Sequence, residues 1–168
     1  MATSTTTSPR TRPARWLDSD QQASWRAFLS GTTRLFERLE GDLREQCGLS
    51  LPEYEILVRL SDAPARRLRM AELAESLAHS RSRVTHTVAR LERHGAVTRT
   101  ACPTDGRGVV AELSDEGWEL LVAAAPVHVA GVRAYLVDLA DPDDFAAVGR
   151  VFAAAADRLG GEAPVSPG

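Results

Sequence analysis

Residues 80–93, Ser-Arg-Ser-Arg-Val-Thr-His-Thr-Val-Ala-Arg-Leu-Glu-Arg, hold the densest chemistry in the chain. Val84, Val88 and Leu91 recur at four- and three-residue steps, which puts them on one side of a helix. Arg81, Ser82, Thr85, His86, Ala89, Arg90 and Arg93 then face outward, with Arg83 between the two faces. Guanidinium, hydroxyl and imidazole groups are what meet phosphates and major-groove base edges of double-stranded DNA. No acid stands between Glu75 and Glu92, so nothing on that stretch repels a polyanion. Ser80 caps the helix, and a capped N-terminus is itself a phosphate site. Further on, Asp105-Gly-Arg107-Gly forms a hairpin tip whose glycines permit a tight reversal. Arg107 then projects toward a narrow, electronegative minor groove, and Asp105 can hold it by an ion pair.

Other reactive groups fit no chemistry. Cys47 and Cys102 are the redox candidates, with Arg99 and Arg107 near Cys102 able to favour a thiolate. His79, His86, His94 and His128 include no pair spaced as metal ligands, so no metal is expected. Asp141, Asp143 and Asp144 open a helix at Asp-Pro, where the dipole stabilises acids. No nucleophile–base pairing and no phosphate-binding glycine loop occurs, so neither catalysis nor a cofactor is expected.

The charge pattern supports a polyanion partner. All 20 basic residues are Arg, so every cationic contact is a planar fork. Net charge is −3, yet residues 66–107 carry +5 between blocks of −4 (16–65) and −7 (108–168). A concentrated basic block governs polyanion binding more than the whole-chain charge does. With 168 residues the chain fits one domain. No continuous apolar run approaches a membrane span. Two cysteines and an N-terminus without an apolar signal core point to the cytoplasm.

These groups need elements to position them. Residues 1–15 and 161–168 read as disordered tails. A long amphipathic helix runs from Asp18-Ser19 to near Gly48, with Ser19 and Gln22 as its capping box. Trp25, Phe28, Leu29, Leu35, Phe36, Leu39 and Leu43 form its apolar face. Ser50, an early Pro52 and Glu53 start a second helix. A third covers 70–77 and the fourth 81–94, joined through Ala78-His79-Ser80. Val97–Ala101 and Val109–Leu113 are strands flanking a 102–108 loop. Ser114 caps a fifth helix, and a sixth starts at Asp141-Pro142 with Phe145, Val148, Phe152 and Leu159 inward. The fold class is mainly α with a small β-hairpin wing: a winged helix-turn-helix with N- and C-terminal dimerisation helices. The first, fifth and sixth helices carry more apolar surface than one winged domain needs. Pairing across a two-fold axis would bury it and set two recognition helices about 34 Å apart, one DNA turn.

The run RLRMAELAESLAHSRSRVTHTVARLERHGAV, followed by TRTACPTDGRGVVAELSDEG, resembles the MarR family of bacterial transcriptional regulators. The resemblance covers about 20–160 and is densest over 66–117. It implies one domain over 16–160, with the DNA-binding winged helix at 50–117 and dimerisation helices at 18–47 and 115–160. It also implies a homodimeric repressor that leaves DNA on binding a small, anionic, aromatic effector. By position, Arg81, Ser82, Arg83, Thr85 and His86 fall on the recognition helix, and Asp105 and Arg107 match the wing. The family's turn usually reads Gly-apolar-Ser; here Ala78 stands where positive φ is favoured, and His79 is expected to be a partly buried structural imidazole. An effector pocket is expected where the first, second and fifth helices meet the winged domain. Trp25, Arg26, Tyr54 and His128 are its candidates, because a guanidinium pairs with a carboxylate and an aromatic ring stacks. Two alternatives stand beside this reading: a thiol-based redox switch, and a protein-interaction module that kept the fold and lost DNA.

Overall fold

The computed structural model describes residues 14–102 and 105–160, without the side chains of 105–107. Residues 1–13 of the tail expected over 1–15, the whole tail expected over 161–168, and the side chains of Asp105 and Arg107 lie outside the described residues. The chain's contacts fall into two units, Met1–Thr33 and Arg34–Gly168.

Helix α1 (Ser19–Cys47) starts where the apolar periodicity predicts. Its capping box sits one residue earlier than expected. The Asp18 carboxylate accepts from Gln21 N at 2.8 Å, and Gln21 Oε1 accepts from Asp18 N at 3.2 Å. Asp18 takes the cap because its carboxylate answers the helix's positive end better than a hydroxyl does. Up to Thr33 the helix is exposed apart from half-buried Phe28 and Thr32, and Trp25 stacks on Phe28 with centroids 5.4 Å apart.

The second unit is built around one apolar core. Helix α2 (Leu51–Asp62) places Ile56, Leu57 and Leu60 in it. A one-turn 3-10 segment, Pro64–Arg66, leads to strand β1 (Arg67–Arg69), helix α3 (Met70–Ser76) and helix α4 (Arg81–Arg93). Between α3 and α4, Ala78 adopts φ 50, the left-handed conformation expected of that turn. Strands β2 (Val97–Cys102) and β3 (Asp105–Leu113) pair antiparallel, and β1 joins the other edge of β3. The wing is therefore three-stranded, and β3 begins four residues earlier than the turn composition of 102–108 suggests. Pairing with β2, Cys102 opposite Asp105, overrides the weak strand preference of Asp and Gly there.

Helix α5 (Asp115–Tyr135) packs its first turn tightly on the α4–β2 turn. Ser114 N donates to Ala96 O (3.1 Å), Ser114 Oγ donates to Gly95 O (2.6 Å), and Gly117 N donates to Ser114 Oγ (2.9 Å). Farther along, the Asp42 carboxylate of α1 accepts from Tyr135 Oη (2.9 Å) and pairs with Arg38 (2.9 Å), joining α1 to α5. Helix α6 (Pro142–Leu159) buries no residue. Phe145, Val148, Phe152 and Leu159, expected inward, are 37%, 44%, 49% and 85% exposed, because the apolar core takes none of its described residues from α6. One expectation about membranes needs correction. Asp115–Leu139 is long and apolar enough to span one, with mean hydropathy 1.7. Scattered Gly, Pro and His break every continuous apolar run there, while Ala, Val and Leu keep the average high.

Candidate nucleic-acid interface

Helix α4 is seated by its aliphatic underside. Val84, Val88 and Leu91 are at most 1% exposed, in the core with Leu57, Leu60 and Leu73. Arg81, Ser82, Arg83, Thr85 and His86 are all exposed, and Ala89 is half-buried. Ser80 is the N-cap, its Oγ accepting from Arg83 N at 3.3 Å. Thr85 Oγ1 donates to Arg81 O (2.8 Å), which commits its proton and leaves the oxygen to accept. The surface thus pairs a helix N-terminus with forked cations and hydroxyls, the set that reads duplex edges and holds phosphates.

Arg90 departs from the expectation. It is half-buried, and its Nε lies 3.0 Å from Oε1 of the buried Glu53. A carboxylate at 2% exposure must be paired, and Arg90 is the cation within reach. Helical spacing identifies faces on one helix and cannot reveal a partner on another.

Two cationic residues of this surface were missed. Arg69 and Arg99 line, with Arg81 and Thr85, a cleft of about 410 Å³ between α3, α4 and the wing, floored by Met70, Ala71 and Val109. Their membership in the +5 block was the available signal, but β1 was not legible. The Arg99 guanidinium donates to Glu92 Oε2 from Nε (3.0 Å) and Nη2 (2.5 Å), which holds the Glu92 carboxyl below the usual range. Near the start of α4, burial pushes the Glu55 carboxyl up, while His79, Arg83 and Arg59 pull it back. His79 is half-buried there, as expected of a structural imidazole.

Of the effector candidates, Tyr54 and His128 come together. Their rings lie 4.6 Å apart, Tyr54 on α2 and His128 on α5. His128 Nδ1 is buried without a hydrogen-bond partner. Burial lowers the His128 pKa and raises that of Tyr54. Trp25 stacks on Phe28, and Arg26 Nη2 donates to Gln22 Oε1 (3.1 Å) within the first unit. Cys47 is a half-buried free thiol, and Cys102 is buried. Among the described residues no three His, Cys, Asp or Glu side chains gather as a metal site.

Two short helices joined by a left-handed turn, the second exposed and cationic, followed by a three-stranded wing, define a winged helix-turn-helix protein. The chain belongs to the MarR family, whose family model matches residues 49–109. Its fold matches Sco3205 of Streptomyces coelicolor, a MarR family transcriptional regulator solved in complex with DNA. That match has TM-score 0.83 and 40% identity over 86% of this chain and 94% of the other. AbsC, a MarR family regulator of the same organism, matches with TM-score 0.82 and 38% identity over 89% of this chain and 100% of the other. The HTH-type transcriptional repressor YetL of Bacillus subtilis is 31% identical over 57% of this chain. The chain spans 58% of YetL and 57% of a second curated relative, HosA of Escherichia coli.

Proposed function

We propose that this chain is a DNA-binding transcriptional repressor that works as a homodimer on an inverted-repeat operator in the cytoplasm. The observation that carries the reading is the exposed row Arg81, Ser82, Arg83, Thr85 and His86, on a Ser80-capped helix anchored by Val84, Val88 and Leu91. That Sco3205, 40% identical, was solved with DNA supports it. In this reading the row enters the major groove, Arg69 and Arg99 hold backbone phosphates beside it, and Arg107, steadied by Asp105, reaches the minor groove. The helices at 18–47 and 115–160 form the dimer, a reading supported by the part-exposed apolar side chains of α6. The name of YetL favours repression. A small aromatic or anionic effector would bind at the Tyr54–His128 stack, whose buried Nδ1 lacks a partner.

Selection from a randomised duplex pool, followed by binding titrations, tests the reading. An enriched duplex should bind with affinity that falls steeply with salt, because guanidinium–phosphate contacts release counterions. Arg83→Ala should weaken binding to it by about 1–3 kcal/mol. No enrichment, a flat salt response, or unchanged affinity in Arg83→Ala would each remove a part of the proposal.

A further inference from the structure

Glu53 occupies an unusual place for a helix-capping acid. It is the third residue of α2, and its Oε2 accepts from Ser50 N (2.8 Å) and Ser50 Oγ (2.6 Å). Such a reciprocal cap normally sits at the solvent surface, where the carboxylate stays hydrated. Here Glu53 is 2% exposed, and its other oxygen meets Arg90 of α4 at 3.0 Å. Burying a carboxylate costs several kcal/mol before pairing, roughly, and a well-packed apolar residue usually does as well for stability. The pair therefore calls for an explanation other than stability.

Geometry supplies one. The rest of the buried grip on α4 is aliphatic, Val84, Val88 and Leu91, which set how deep the helix sits; its other ionic tie, Glu92 to Arg99 of β2, lies at the more exposed last turn. Dispersion contacts have little directionality, so such a stripe leaves roll and slide of the helix weakly defined. A charge-assisted hydrogen bond to a carboxylate that is itself held at two points is directional. It acts on the C-terminal half of α4, nine residues beyond Arg81, where a small roll changes where every exposed side chain on the first turns points. We infer that Glu53 is a positioning residue for DNA recognition: through Arg90 it fixes the roll of α4, and Arg90 works inward instead of contacting DNA. This rests on the proposed DNA binding.

The test compares wild type with Glu53→Gln, Arg90→Gln and the double variant, each checked for folding by circular dichroism and thermal melting. Each is titrated with the duplex that wild type selects from the random pool and with poly(dI–dC). Either single variant should bind the selected duplex about tenfold more weakly while its poly(dI–dC) affinity stays within about twofold, since the exposed arginines remain. The double variant should lose no more than either single one, because both act through one bond. Three results overturn the inference. Glu53→Gln could bind more tightly, having released Arg90 to a phosphate. Arg90→Gln could weaken both DNAs equally with a shallower salt dependence. The variants could melt lower yet keep the wild-type preference between the two DNAs, which is a structural role only. Should Glu53→Gln not fold, the half-exposed Arg90→Gln decides alone. Enrichment of a duplex by wild type with any of these three results leaves DNA binding standing and removes only the role of Glu53; failure to enrich removes both.

Discussion

His128 shows how one side chain links packing to pH. Its ring lies against Tyr54 and its Nδ1 is buried, so protonation must place a charge where water is scarce. Burial accordingly lowers its pKa from the ordinary imidazole value. Above about pH 6.5 the group is neutral in both folded and unfolded chains and its full stabilising contribution is present. As pH falls below that value the unfolded chain takes up the proton first, and stability is lost progressively toward the lower folded pKa. Melting curves at stepwise pH should therefore show wild type losing stability below about pH 6.5 more steeply than His128→Phe, which keeps the stack without the titration. Parallel pH profiles would mean that His128 is not the group responsible. Legibility at this scale was uneven. The exposed row on α4 follows from the spacing of Val84, Val88 and Leu91, whereas the Glu53–Arg90 pair joins residues on two helices and leaves no trace in either helix's period.

The elements were largely readable because caps and periodicity agree. Ser50, Ser80, Ser114 and Asp141 each stand at the helix start they predict. Strand β1 was not readable: three residues, Arg-Leu-Arg, carry no period, and only pairing with β3 makes them a strand. The joint between the winged domain and α5 depends on one close approach. A Cβ at Gly117 would fall 2.0 Å from Ala96 O and 2.8 Å from Leu113 Cδ1. Backbone cannot yield as a flexible side chain can. Gly117→Ala should therefore destabilise the fold by about 1–3 kcal/mol or more, despite the better helix propensity of Ala. Chemical denaturation measures it, and unchanged stability would show that α5 can shift away from the α4–β2 turn at no cost.

At the scale of the whole molecule, apolar surface is the unresolved term. The sequence shows the stripe on α6 plainly; what it could not show is that the apolar core takes none of it. Phe152 and Val148 remain 49% and 44% exposed, and Val122 and Val129 on α5 53% each. Contiguous exposed apolar surface on a helix marks an interaction site. In the proposed homodimer these side chains are buried, so Val148→Glu with Phe152→Glu should convert the dimer to monomer in sedimentation experiments and abolish binding to a two-half-site duplex. A variant that still sediments as a dimer would place the two-fold contact elsewhere.

An 18-residue helix with no fully buried side chain takes little support from the apolar core. In the proposed homodimer its order is linked by mass action to the partner copy, and the helical content of α6 would depend on how much protein is in the tube. Dilution of that homodimer would unravel the carboxyl-terminal segment before the winged core.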